Sequence, residues 1–245
     1  IWFVDADDLP DLQFLQLVFG DINCKGINIV VGFYKCLDQY GRERIVNIDE
    51  TGDILVDEIP NMFMKYQYDT GFWGYLWNKL IKREILEKSK VQFPKGYRYE
   101  DVEFTYKLIP FLEKVSFCKT PMVHYVQREG SISNVQNKRN AEIFDVMEHV
   151  IDYYKENNLY EEYYQELEYL YARYAFCSSF LRIVKIKDKE IRKQLLDMTW
   201  NNVYEKFPNW KKNKILNTDK NMKNIYLKTI NKITYKIYAK LLSIK

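Results

Sequence analysis

The chain opens on an apolar run, Ile1-Trp2-Phe3-Val4, that meets the acidic cluster Asp5-Ala6-Asp7-Asp8. A short apolar run ending in polar residues reads as a buried strand. Open α/β sheets place their chemistry just outside the carboxyl ends of such strands. Leu9-Pro10 then breaks the run, and Asp11 offers a cap to a helix reaching about residue 19. Residues 27–34 are apolar and rich in β-branched side chains, which predicts a strand of the same sheet. Residues 40–42 read as a turn, 44–48 as a short strand and 51–53 as another turn. Residues 59–68 read as a helix with Pro60 in its first turn.

The segment Phe72-Trp73-Gly74-Tyr75-Leu76-Trp77-Asn78-Lys79-Leu80 is the most aromatic, and it leads into helical periodicity over 81–86. Phe93-Pro94-Lys95-Gly96 reads as a loop. Glu100-Asp101-Val102-Glu103-Phe104 opens a helix to about residue 112, with acids in the first turn where the helix dipole favours them. Residues 115–118 and 122–126 read as strands, and 128–133 as a polar loop. From residue 138 the period becomes helical. Ile143, Phe144, Met147, Val150, Ile151 and Tyr154 recur at helix spacing, and further helices follow over 163–184, 189–204 and 221–242. The change of pattern near Gln136 divides an α/β part, 1–135, from a helical region, 136–245. A central strand with no partner ahead of it leads us to expect that the domain begins upstream of Ile1.

Composition narrows the classes. With 47% hydrophobic and 29% charged residues the chain is an ordinary globular sequence. A net charge of +3 is too small to argue for nucleic acid. Cys24, Cys36, Cys118 and Cys177 lack metal-site spacing and read as buried thiols of a reducing compartment. No signal peptide or membrane-spanning run is evident, so the expected location is the cytoplasm, with the inner face of the plasma membrane as a variant. The tail adds that variant. Ile225, Leu227, Ile230, Ile233, Ile237, Leu241 and Leu242 alternate with Lys223, Lys228, Lys232, Lys236 and Lys240. This basic amphipathic pattern over 218–245 fits either an anionic membrane surface or packing on neighbouring helices or a second copy in a homo-oligomer.

Asp5 and Asp7 share a parity along an extended backbone and can face one ligand. Two carboxylates with an open coordination sphere suit Mg²⁺ or Mn²⁺ held together with substrate phosphates. A solvated acidic loop with a helix cap accounts for the same residues. A phosphatase-type aspartate nucleophile would want Thr or Gly next, and Asp8-Leu9-Pro10 follows instead.

The order of motifs adds to this. Val4-Asp5-Ala6-Asp7-Asp8, then Trp77-Asn78-Lys79-Leu80, then Glu100-Asp101, then Arg128-Glu129-Gly130-Ser131-Ile132-Ser133 resembles the later part of the family 2 glycosyltransferases with the GT-A fold. The resemblance covers about residues 1–135. It implies a partial GT-A, Rossmann-like mixed sheet followed by a helical C-terminal region. It also implies inverting, hexosyltransferase-type transfer of a sugar from a nucleotide-diphosphate donor to an acceptor hydroxyl. The acceptor would be a glycan or lipid-linked glycan in bacterial surface polysaccharide or glycoconjugate synthesis. Within that family Asp7 stands as the metal ligand, with Asp5 toward the ribose or the metal's water shell and Asp8 as a cap or support. Asp101 stands as the base that takes the acceptor proton, with Glu100 as the alternative. His124 completes the metal site, contacts the diphosphate, or packs at a strand end. Arg128 and Ser131 fit a loop closing over the diphosphate. Trp73 and Trp77 offer a stacking floor, and Asn78 and Lys79 reach the acceptor or the acidic pair.

The family's N-terminal nucleotide-binding unit, with a strand of the S-V-I-I-P-x-Y-N type, has no counterpart in this sequence. The expectation is that this chain alone binds nucleotide poorly and turns over nothing. A reading from a different class is a non-catalytic module in which the helical half mediates assembly.

Overall fold

The computed structural model describes residues 1–20, 27–37, 40, 42–46, 52–55, 74–127, 135–218 and 221–243. Contacts divide the chain into two units, Ile1–Pro94 with Asp101–Asn134, and Lys95–Glu100 with Val135–Lys245.

The first unit is a mixed sheet built on two long parallel strands, β2 (Ile29–Leu37) and β6 (Lys114–Val126). Residues 29–34 are buried without alternation, as a strand covered on both faces requires. Each long strand carries two short antiparallel partners end to end on its outer edge. β1 (Leu9–Pro10) and β4 (Gly52–Leu55) lie along β6, while β3 (Glu43–Val46) and β5 (Lys79–Ile81) lie along β2. Helix α1 (Leu12–Gly20) sets Phe14 and Val18 into a core shared with Val30, Tyr34, Trp77 and Met122. The Asp11 side chain accepts from the Gln13 amide at 3.0 Å and caps that helix. Helix α2 (Arg83–Ser89) follows β5, and helix α3 (Glu100–Leu108) precedes β6, running on through a 3₁₀ turn at Ile109–Phe111.

Three local expectations change, and a fourth falls on residues that are not described. Residues 1–4 make only an isolated bridge, Trp2 to Leu80, instead of a buried strand, and Ile1 and Val4 are exposed. Gly52 and Asp53 belong to a strand, not a turn, because β6 offers them an unpaired edge. The two strands expected over 115–126 are one strand. Its register against β2 shifts on either side of Phe33, where Pro121 sits. A proline cannot donate to the ladder, so it is tolerated at such an irregularity. The helix expected over 59–68 lies outside the described residues.

The second unit is helical. A capping box at Asn137 and Asn140 starts a 3₁₀ turn, Lys138–Ala141, which leads into α4 (Glu142–Glu156). Ile143, Met147, Val150, Ile151 and Tyr154 form its buried stripe. The helix expected over 163–184 is interrupted. It comprises α5 (Tyr164–Arg173), a π-helical turn (Tyr174–Ser179) and α6 (Phe180–Ile183). The Tyr226 hydroxyl donates to the Phe176 carbonyl at 3.1 Å, satisfying a backbone group within that turn. Helix α7 (Lys189–Lys206) begins at Asp188, whose carboxylate accepts from the Glu190 and Ile191 amides at 2.9 and 3.0 Å. Helix α8 (Lys214–Thr218) follows the buried Trp210. The tail is two helices rather than one, α9 (Met222–Thr229) and α10 (Lys232–Leu242). Asn231 divides them with a capping box. Its side chain accepts from Ile233 and Thr234, and Thr234 Oγ1 accepts from the Asn231 amide at 2.8 Å.

Candidate functional site

The acidic motif is a tight turn. The Asp8 amide donates to the Asp5 carbonyl at 3.1 Å, which leaves Asp5 and Asp7 on the surface and turns Asp8 inward. The buried Asp8 carboxylate accepts from the Val126 amide at 3.0 Å. This bond ties the turn to the carboxyl end of β6, next to Gln127, whose own amide donates to Leu37 at the end of β2 at 2.7 Å. The turn therefore stands where both long strands end, as expected for chemistry in an open α/β sheet. Neighbouring protein atoms withdraw water from part of the Asp5 carboxylate, although the residue is exposed. That desolvation, and then the charge of Asp7, raises the Asp5 pKa. Two repelling carboxylates on one exposed turn are a donor set that a divalent cation held jointly with phosphate oxygens would relieve.

The aromatic motif packs directly beneath. Trp2 Nε1 donates to the Trp77 carbonyl at 2.7 Å. The Trp77 ring stacks on Tyr75 and on Tyr125, with centroids 5.1 and 5.5 Å apart, and meets Tyr34 edge-on at 4.5 Å. Trp77 is buried, and Tyr75 is the exposed ring of this stack.

Asn78 and Lys79 are completely buried, which corrects the expectation that they reach an acceptor. Asn78 accepts the Gly32 amide on its carbonyl at 3.1 Å. Lys79 Nζ donates to Asn78 Oδ1 at 2.8 Å and to the Tyr75 carbonyl. Burial pushes the Lys79 ammonium well below its ordinary range, and the Asp101 carboxylate opposes that shift. Lys79 is thus a buried amine on which the Asp101 carboxylate acts, held by the segment that carries the aromatic stack.

Helix α3 brings Asp101 to this place. Phe104 on the helix meets Phe3 edge-on at 5.7 Å, and Thr105 Oγ1 donates to the Gly74 carbonyl at 2.9 Å. These contacts pin the helix to the apolar run before the acidic turn and to the start of the aromatic segment. The Asp101 carboxylate accepts from the Val102 amide at 2.8 Å, close to the helix start. Glu100 has a different environment. It falls in the second unit, is exposed, and acts electrostatically on Arg139, which pairs with Glu142 at 2.5 Å. Tyr99 just before it has φ 67°, a left-handed conformation that is uncommon for a bulky residue and that clusters near functional sites.

His124 Nε2 lies 3.4 Å from Asp11 Oδ2, and its backbone pairs with Leu9. Among the described residues no group of three His, Cys, Asp or Glu side chains that could hold a metal gathers. Arg128, Ser131 and Trp73 lie outside the described residues. Sequence reasoning missed the roles of Tyr75 and Tyr125, whose only signal was their place in aromatic segments. Among the described residues no helix is long and apolar enough to cross a membrane.

No family model matches the chain. In sequence it is 24% identical over 172 residues to the putative glycosyltransferase EpsH of Bacillus subtilis (strain 168), covering 69% of this chain and 49% of EpsH. It is 25% identical over 140 residues to the uncharacterized glycosyltransferase EpsJ of the same organism, covering 56% of this chain and 40% of EpsJ. The chain thus spans about half the length, or less, of these curated relatives. In structure it resembles S. aureus TarS 1-349 in complex with UDP-GlcNAc, with a TM-score of 0.60 at 18% identity, over 99% of this chain and 64% of that one. A second structure of TarS 1-349 gives a TM-score of 0.57 at 16% identity, over 99% of this chain and 62% of that one. The chain is similar in sequence to glycosyltransferases, and its mixed α/β sheet is the GT-A-like fold of TarS.

Proposed function

We propose that this chain forms the metal-holding and acceptor side of an inverting, family 2 glycosyltransferase. The enzyme would move a hexose from a nucleoside-diphosphate donor to a hydroxyl of a surface glycan or glycoconjugate. The single observation that carries this reading is the Asp8–Val126 hydrogen bond, because it leaves Asp5 and Asp7 exposed at the ends of both long strands. The nucleotide-sugar donor is supported by the likeness to TarS, which was crystallised with UDP-GlcNAc.

In this reading Asp7 and Asp5 hold Mn²⁺ or Mg²⁺ together with the donor diphosphate. When bound, the ion would neutralise charge on the departing diphosphate. Asp101 takes the acceptor proton as the acceptor oxygen bonds to the anomeric carbon, while the bond from that carbon to the diphosphate oxygen breaks on the opposite face. Lys79 positions Asp101 and does not touch substrate, since no part of it is exposed. Tyr75, the exposed ring over Trp77, offers the acceptor sugar an apolar face. Arg128 and Ser131 are assigned to the diphosphate, on the sequence resemblance alone.

The test is sugar incorporation by the protein as its own cell makes it, assayed with Mn²⁺ titrated from zero. Asp7→Ala abolishes the metal-stimulated part of transfer and leaves the fold intact. Metal-stimulated transfer that survives Asp7→Ala sinks this assignment.

A further inference from the structure

The two tail helices bury one face and leave another apolar face uncovered. Leu227, Ile230, Tyr235 and Ala239 pack into the second unit, and the Tyr235 hydroxyl donates to the Leu196 carbonyl at 3.1 Å. Tyr226 bonds to Phe176, and Lys211 Nζ donates to the Ile230 carbonyl at the break between the helices. These contacts fix which side of α10 faces outward. On that side Ile233, Ile237 and Leu241 recur every fourth residue, at 71%, 49% and 60% exposure. Met222 and Ile225 of α9 are exposed as well.

Beside the isoleucine row runs a second row at the same spacing. Lys232, Lys236 and Lys240 are all exposed, each one position before an apolar member. From Asn221 to the last residue the sequence contains no Asp or Glu. A capping box at Asn231 holds the helix start in place, so the two rows are preformed in the free protein.

We infer that α9 and α10 form a docking surface for an anionic lipid bilayer, with Ile233, Ile237 and Leu241 entering the headgroup boundary and Lys232, Lys236 and Lys240 facing lipid phosphates. Charge complementarity selects this occupant. A helix of this kind lies in the interface plane, where apolar burial and lysine attraction to anionic headgroups add together. A second copy of the same face would bring lysine rows against each other without a carboxylate between them, which costs association. A neutral surface would leave the lysine row without a counter-charge. This docking is independent of the sugar-transfer reading, and its test contains no activity measurement.

The experiment is flotation of the 245-residue chain with phosphatidylcholine vesicles, with and without about 30% phosphatidylglycerol. The expected result is binding to the anionic vesicles alone, weakening as salt is raised. Replacing Ile233, Ile237 and Leu241 together by Ser lowers partition at least about tenfold, and replacing Lys232, Lys236 and Lys240 together by Gln does the same. Both variants change exposed positions, and unchanged thermal melting verifies their fold. The inference is overturned if the unmodified chain fails to float with anionic vesicles, or if neither variant alters its flotation. A concentration-dependent dimer that the Ser variant dissociates, with no vesicle binding, also overturns it and makes a second copy the occupant.

Discussion

Asp8 Oδ1 accepts the backbone N–H of Val126 at 3.0 Å, joining residues 118 positions apart. This bond makes one locality out of the first acidic motif and the strand that leads to Arg128. A carboxylate hydrogen bond of this kind contributes about 1.5–3 kcal/mol. Asp8→Ala therefore lowers the unfolding free energy by about 2 kcal/mol. Asp8→Asn, which keeps an acceptor oxygen, loses less. Urea denaturation measures both, and equal losses would contradict the bond's role.

Gly32 gives the second prediction. A Cβ placed there would lie 2.1 Å from Met122 Cγ and 2.7 Å from its Sδ, where β2 and β6 change register. Gly32→Ala costs about 1–3 kcal/mol by overpacking. Adding Met122→Ala makes room, so the double variant is more stable than the sum of the single losses implies. A double-mutant cycle with no coupling would contradict this account.

Lys79 gives the third. Its folded pKa is lowered, so folding excludes a proton that the unfolded chain binds. Stability from this group therefore rises with pH up to its unfolded value of about 10.4. Lys79→Met removes that rise, as denaturation midpoints at successive pH values will record. The same substitution removes the amine on which Asp101 acts, so the pH profile of sugar transfer moves, while an unmoved profile would deny Lys79 any influence on the base.

Buried tyrosines give the fourth prediction, with the opposite sign. Burial is the first cause of the upward shifts at Tyr163, pushed up to about 12, and at Tyr34, Tyr171, Tyr226 and Tyr235. Their contribution is fully present below the unfolded value of about 10 and is lost as pH rises through the folded values. The unfolding free energy therefore falls steeply above about pH 10. Phenolate absorbance from these residues should appear together with loss of helical circular dichroism. Ionisation of every tyrosine with the fold intact would contradict it.

Nucleotide binding gives the fifth. The family's S-V-I-I-P-x-Y-N strand has no counterpart among these 245 residues. Calorimetry of this chain with UDP and Mn²⁺ should return an affinity weaker than millimolar. Sub-millimolar binding would contradict this account.

Much of this arrangement was legible in the sequence, for physical reasons. β2 announced itself by an unbroken apolar run, because a strand covered on both faces has no polar side to alternate. Asp11 was a local cap, visible as an acid before helical periodicity. The break at Asn231 was also written locally, as Asn-Lys-Ile-Thr, a capping box inside an amphipathic pattern that periodicity alone runs through. Other features depended on distant partners. The π-helical turn is supported by Tyr226, 50 residues beyond Phe176, and no local pattern encodes that. Asn78 and Lys79 looked like binding residues because polar groups among aromatics are conspicuous. Their burial follows from Gly32 and Tyr75 offering backbone partners, which only the folded sheet brings near. Glu100 and Asp101 are adjacent in sequence, yet fall in different units.

The central claim is that Asp101, beside the buried Lys79, is the base for sugar transfer. Its most direct test is the Asp101→Asn variant of the protein as its own cell makes it, assayed for incorporation of labelled sugar from a nucleotide-sugar donor. Asn keeps the size and loses the proton acceptor, so the account predicts a fall of at least about a hundredfold with unchanged melting. Transfer within about twofold of the unmodified protein would contradict it, since loss of a general base costs about a hundredfold or more.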